Sequence, residues 1–235
     1  MKEAVLIPIE CAPHPSSFIG ELFGLMSTEE KEHLLMGLTF YEVPRGGLIY
    51  GKEDEISYIY IMAKGQGKIV QEREHPQIMQ LLKSGDIFGF VPYFSDNNFM
   101  TSGYCITDSI ICTYPIIDFE ALLSHNAEAS LYFLRDVTGQ FWSHHSLLIS
   151  LTQKHLRGRL ADAIHFIEIE YGLEDDGKTL KGKFSRNDYS ELCSMTSSNV
   201  TRTLRDLEAE GIVALNGKDI AILDRDKLER ISRIG

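Results

Sequence analysis

Hydrophobic and polar positions follow three successive rhythms along the 235 residues. From about residue 39 to 117, short β-branched and aromatic runs alternate with glycine-bearing turns. The pattern predicts strands at 40–44, 48–50, 56–62, 68–71, 78–82 and 109–114. Arg45-Gly46-Gly47, Lys64-Gly65-Gln66-Gly67 and Lys83-Ser84-Gly85-Asp86 separate them. Many short strands with regular turn signals predict an antiparallel sandwich, roll or barrel. Residues 16–37, ahead of it, read as one or two short helices packed against the sheet. Ser27 is placed to cap one of them, with Glu30 three residues on.

The second rhythm is helical. It opens near Asp118–Leu123, and a long segment runs from about Ala127 to Leu151. Apolar residues there recur every seven positions. Leu134, Phe141 and Leu148 form one series, and Val137, His144 and Leu151 the other. Two positions in seven make a narrow seam, which suits a partner helix; an ordinary core helix is the competing reading. The third rhythm starts near Lys154. An amphipathic helix from His155 to Tyr171 carries Leu156, Leu160, Ile164 and Ile167, a loop follows at 172–178, then two short helices and a hairpin.

The chemistry concentrates between Phe184 and Leu207. Ser185 is a natural N-cap with Asp188 three residues on. The first helix buries Tyr189 and Leu192, and Cys193-Ser194-Met195 makes a turn. Thr196 or Ser197 caps a second helix, whose apolar side is Val200, Leu204 and Leu207. Ser197, Ser198, Asn199, Thr201, Arg202 and Arg205 are left on its outer face. This is the layout of a helix-turn-helix, whose second helix fits the DNA major groove and offers its first turns to base edges and phosphates. Gly211 ends the helix, and Asn216-Gly217 between alternating strands predicts a hairpin wing with Lys218 near its tip.

Charge changes this picture only locally. The chain has a net charge of −11, which argues against coating nucleic acid or anionic lipid over its whole surface. Residues 155–235 carry 13 basic and 15 acidic side chains, whereas residues 181–205 carry five basic and two acidic. A small positive patch thus sits on the motif. No apolar run approaches the ~20 residues of a membrane helix, and the opening Met1–Glu10 is a poor signal peptide, so a cytoplasmic protein with no membrane partner is expected. Cys11, Cys105, Cys112 and Cys193 are scattered and indicate no metal site. The sequence shows no P-loop, GxSxG or HExxH motif, and no catalytic residues are assigned.

On the residues 197–204, Lys64-Gly65 and Ser84-Gly85-Asp86-Ile87-Phe88-Gly89, the whole chain resembles the Crp/Fnr family of bacterial transcription regulators. The resemblance implies an α+β protein in three parts. Residues 1–126 form a cyclic-nucleotide-binding-like β-roll (jelly roll) that senses an effector, 127–153 a dimerisation helix and hinge, and 154–235 a winged helix-turn-helix. It implies a homodimer on palindromic double-stranded DNA, RNA polymerase as a partner, and a hinge near Thr152–His155. In cyclic-nucleotide-binding members, Phe-Gly-Glu is followed ten residues after the Glu by Arg, then Ser or Thr; Glu takes the ribose and Arg the phosphate. Here the frame reads Phe88-Gly89-Phe90 and Met100-Thr101-Ser102. Cyclic AMP is therefore not expected to bind, because the phosphate lacks its charge-assisted partner. The pocket is either filled by its own side chains or open to an unknown apolar or aromatic effector; no cofactor is identified. Cys11 stands alone where the redox branch has a cluster, and His75 and His125 read as surface histidines rather than haem ligands. Arg202, Ser198 and Asn199 are the expected base readers, with Thr196, Ser197, Arg205 and Lys218 on phosphates. Ser198 stands where members that read guanine often carry Glu. The competing reading is a ligand-binding regulatory module whose C-terminal domain contacts proteins.

Overall fold

The computed structural model describes residues 4–95, 98 and 100–234, so Met1, Lys2 and Glu3 of the opening stretch lie outside it. The chain divides into two compact units. One runs to Gln71 and includes Gln80–Phe141; the other comprises Glu72–Met79 and the chain from Trp142 onward.

The first unit begins with β1 (Val5–Ile7), α1 (Gly20–Gly24) and α2 (Thr28–Gly37). Then come β2 (Thr39–Val43), β3 (Leu48–Tyr50), β4 (Tyr58–Lys64), β5 (Gln66–Gln71), β6 (Gln77–Lys83) and β7 (Ile87–Phe88). A single turn, α3 (Val91–Phe94), leads to β8 (Ser102–Cys105), β9 (Ser109–Pro115), α4 (Ile116–His125) and the 27-residue α5 (Ala127–Gln153). The strands form one sheet in the order β1-β2-β9-β4-β7 and another in the order β3-β8-β5-β6. Side-chain alternation decides which face each residue serves. On β4, Ile59, Ile61 and Ala63 join a cluster with Phe40, Cys112, Tyr114, Ile116, Phe119 and Phe133. The intervening Tyr60 and Met62 point to a second cluster with Val43, Tyr50, Leu82, Phe88 and Ile111. The five-stranded sheet therefore presents one face to the helices and the other to its partner sheet.

The anticipated strands all form. Those missed are short: β1, β7 and β8 span two to four residues, too few for periodicity to show. The expected helix opening near Asp118 lies two residues earlier, at Ile116. The Ser27–Glu30 capping box is present: Ser27 N–H donates to Glu30 Oε2 at 2.7 Å and Glu30 N–H donates to Ser27 Oγ at 3.2 Å. Asn126 starts α5 by accepting from Ala129 N–H at 2.9 Å, while its Nδ2 donates to Glu30 Oε2 and to the Leu25 carbonyl, each at 3.1 Å.

Along α5 the seven-residue series Leu134, Phe141 and Leu148 is exposed. The second series behaves differently from the expected seam: Val137, His144 and Leu151 are half-buried, and Val137 packs against the roll's own core. Leu131, Trp142 and Ile149, which the heptad reading passed over, are also exposed and form a separate line about 60–100° around the helix from the first series.

The second unit contains the end of α5, then α6 (Leu156–Tyr171), α7 (Arg186–Cys193), α8 (Ser197–Ala209), β10 (Val213–Asn216), β11 (Asp219–Ile222) and α9 (Arg225–Ile234). Leu160, Ala161, Ile164 and Ile167 of α6 are buried, and α6 packs on α7, α8 and α9. Helical structure breaks at Lys154–His155. Across that break, Asp162 accepts from Ser150 Oγ at 2.5 Å, Lys154 Nζ at 2.7 Å and, from α9, Ser232 Oγ at 2.5 Å. Arg157 holds Glu210, beyond α8, through two hydrogen bonds of 2.6 and 2.5 Å. The C-terminal α9 had no counterpart in the sequence reading, though it buries Leu228 completely.

Candidate nucleic-acid interface

The local sequence builds α7, a tight turn and α8 with little freedom. Ser185 and Asp188 form a capping box, with Ser185 N–H donating to Asp188 Oδ2 at 2.7 Å. Tyr189, Leu192 and Cys193 are buried, and Phe184 packs edge-on against Tyr189 at 6.1 Å. Burial pushes the Tyr189 phenol and the Cys193 thiol up, so both are neutral packing groups. Ser194 ends α7 in the left-handed conformation at φ 50°, and the Ser190 carbonyl accepts from both Ser194 and Met195 N–H. The Ser190 hydroxyl also donates to the Met195 carbonyl.

Of the two expected caps for α8, Thr196 is the one used: Asn199 N–H donates to its Oγ1 at 3.3 Å. Val200, Thr203, Leu204 and Leu207 face inward. Ser197, Ser198, Arg202 and Arg205 are exposed, Asn199 and Thr201 half-exposed. Ser197, Ser198, Thr201, Arg202 and Arg205 line one shallow depression together with Asp206, an acidic neighbour the sequence reading did not single out. Arg202 is held in place, its Nη2 donating to Asn199 Oδ1 at 3.1 Å. Thr201 spends its hydroxyl proton on the Ser197 carbonyl at 2.9 Å, leaving only acceptor capacity outward.

The wing forms, with one correction to its turn. Asn216 pairs with Asp219 at the end of the ladder, so the two-residue loop is Gly217-Lys218 rather than one centred on Asn216-Gly217. Gly217 takes φ +62° at the first loop position, where glycine carries no Cβ penalty. Lys218 is exposed at the tip. A third segment adds to the hairpin: Leu180 N–H donates to the Ile220 carbonyl and Ile222 N–H to the Lys178 carbonyl, both at 2.9 Å. Arg186, counted above in the positive patch, anchors the wing to α7 by donating from Nη2 to the Gly217 carbonyl at 3.2 Å.

In the roll, the frame residues separate. Phe88 and Ser102 are buried, Thr101 is half-buried, and Met100 is 64% exposed. Phe90 is 5% exposed and meets Phe133 edge-on at 4.8 Å. Tyr50, Tyr60 and Phe88 occupy the space between the sheets, with centroids 5.2 Å apart for Tyr50–Tyr60 and 5.7 Å for Tyr60–Phe88. Tyr50 Oη lies 3.3 Å from Thr101 Oγ1, and burial pushes both tyrosines up to about 12. Gly89 runs past this stack at φ +82°, where a Cβ would come within 2.5 Å of the Tyr60 ring.

Residues 41–126 match the cyclic nucleotide-binding domain, and residues 158–231 match the Crp-like helix-turn-helix domain. The chain belongs to the Crp/Fnr family of transcription regulators. Among relatives of this Crp/Fnr regulator, the global nitrogen regulator of Nostoc sp. is 24% identical over 183 residues, covering 76% of this chain and 82% of that one. The fumarate and nitrate reduction regulatory protein of Escherichia coli is 20% identical over 193 residues, covering 81% and 77%. FixK2 from Bradyrhizobium japonicum shares the fold, with a TM-score of 0.73 at 18% identity over 83% of this chain and 96% of that one. The relatives are transcription regulators rather than enzymes, and Crp/Fnr regulators bind DNA. No helix among the described residues is long and apolar enough to cross a membrane.

Proposed function

We propose that this Crp/Fnr regulator acts as a homodimer that reads a two-fold symmetric operator and does not respond to cyclic AMP. The observation that carries the reading is the outer face of α8. It presents exposed hydroxyls and two guanidinium groups beyond a capped turn, beside a wing tipped by Lys218. Arg202, oriented by Asn199, and Ser198 read base edges; Thr196, Ser197, Arg205 and Lys218 hold phosphates, and Thr201 accepts at the rim. The exposed Leu134, Phe141 and Leu148 pair α5 with its symmetry mate, which sets half-sites about one helical turn, ~34 Å, apart. Residues 1–126 then form the sensor domain, 127–153 the dimerisation helix and hinge, and 154–235 the DNA-binding domain. RNA polymerase is the machinery such a bound dimer acts on.

The roll supports the cyclic AMP part. A ribose has an apolar, buried Phe90 where the resemblance places its acceptor, and the cyclic phosphate has Met100 in place of a cation. The Tyr50–Tyr60–Phe88 stack fills the interior besides.

The test is target-site selection on random duplexes, followed by anisotropy titration of the selected site. Arg202→Ala should cost ~1–3 kcal/mol and relax preference at its base, whereas Lys218→Ala should weaken all sequences about equally. Unchanged binding by Arg202→Ala removes the contact assignment. Indifference to every duplex at low salt transfers the α8 face to protein recognition. Low-micromolar cyclic AMP binding by calorimetry refutes the effector part.

A further inference from the structure

Between the last turns of α5 and the facing side of α6 lies a cavity of about 510 Å³, within the size range of small-molecule sites. Its chemistry is polarised along the α6 axis. Trp142, Leu147, Ile149, Phe166 and Ile169 supply apolar wall, and at the other end stand Lys154, Arg159 and Asp162. Trp142 is 69% and Ile169 77% exposed, so an occupant would take large apolar surfaces out of water.

The charges at the polar end do not cancel. Asp162 is matched by Lys154 at 2.7 Å. Arg159 donates from Nε to the Lys154 carbonyl at 2.9 Å, and its guanidinium pairs with no carboxylate among the described residues. One cation is therefore left over, in a fork suited to a carboxylate. Glu170 also lines the cavity. It lies 11 residues along α6 from Arg159, about 16 Å at helical rise, too far to neutralise that guanidinium. His165, on the rim, has a buried Nε2 without a partner.

We propose that this cavity binds a small amphipathic monocarboxylate. The carboxylate pairs with the Arg159 guanidinium, and the tail runs along Phe166 to cover Trp142 and Ile169. The Leu134, Phe141 and Leu148 series leaves most of the α5 wall free in a dimer; Leu151, at the edge of that wall, belongs to the second heptad series. At 100° per residue, Ser143, Leu147 and Ser150 of the cavity wall lie on the side of α5 opposite Leu134, Phe141 and Leu148. The inference does not rest on the DNA-binding reading, and its readout needs no DNA.

Trp142 is the chain's single tryptophan and reports occupancy directly. Sodium decanoate titrated into the full-length protein should give a saturable blue shift of its emission. Arg159→Gln should raise the half-saturation concentration at least tenfold, with Arg159→Lys recovering part of the loss. Ile169→Asp, at a position too exposed to matter for folding, should weaken binding as strongly. Decylamine, with a chain of the same length and the opposite charge, should not saturate. A non-saturating response to decanoate overturns the proposal, as does an Arg159→Gln value within twofold of the wild type, or equal binding of decylamine. Emission that shifts with protein concentration alone also overturns it, because the occupant is then a second copy.

Discussion

Replacing Phe90 measures whether the altered effector frame is core or cleft. Its ring is 5% exposed and meets Phe133, which in turn packs edge-on against Phe119 at 5.0 Å. Phe90→Ala should therefore cost ~3–5 kcal/mol, the usual loss for a large side chain that leaves a cavity. That is a large share of the ~5–15 kcal/mol of a typical domain. Phe90→Glu, which restores the residue type of nucleotide-binding relatives, should cost more, and in a pH-dependent way. A carboxyl among these rings titrates above its unfolded value of ~4.3. Well below that value it is neutral in both states, and only lost packing counts. As pH rises, the unfolded chain ionises first, and stability should fall by ~1.4 kcal/mol per unit until the folded-state value is reached. Urea melts followed by far-UV circular dichroism at pH 5 to 8, with Phe90→Gln as the uncharged control, read this slope. If Phe90→Glu is as stable as the wild type at pH 8, the side chain reaches water and the account of a filled roll is wrong.

Phe141→Glu, on the exposed α5 series, should convert dimer to monomer in sedimentation without lowering the thermal midpoint of the monomer. Ser194→Gly should raise stability by up to ~1 kcal/mol by relieving a left-handed non-glycine residue, seen as a higher denaturation midpoint. Asn126→Ala should lose ~1–2 kcal/mol with the α5 cap and its tie to Glu30. The Ser27 N–H and Asn126 hold the Glu30 carboxyl below its ordinary range, so its contribution is complete above the unfolded value and disappears as pH falls through the folded one. Glu30→Gln should flatten that acid limb in denaturation curves.

The sequence made the DNA-facing unit legible because its signals are local. Ser185 with Asp188, Thr196, Gly211 and Gly217 each act within three or four residues of where they stand. The turn centre slipped by one residue because Asn216 can belong either to a loop or to the end of a strand, and only pairing with Asp219 decides. What stayed hidden depends on distant partners. Arg186 was legible only as one of the five basic residues of 181–205; its anchoring of the wing shows only once Gly217 is brought beside it. Val137 and His144 matched a heptad, but a seven-residue repeat cannot say which of two adjacent stripes the chain's own core occupies. The aromatic fill of the roll needed Tyr50, Tyr60 and Phe88 brought together from three strands.

The carboxylate of Asp162 gives the break between α5 and α6 a particular mechanical character. Ser150 and Lys154, at the end of α5, and Ser232, from the α9 helix packed on the same α6, all end on it, so bending the chain at Lys154–His155 strips Asp162 of two donors and leaves it the third. Opening the joint therefore costs two charge-assisted hydrogen bonds, about 1.5–3 kcal/mol each.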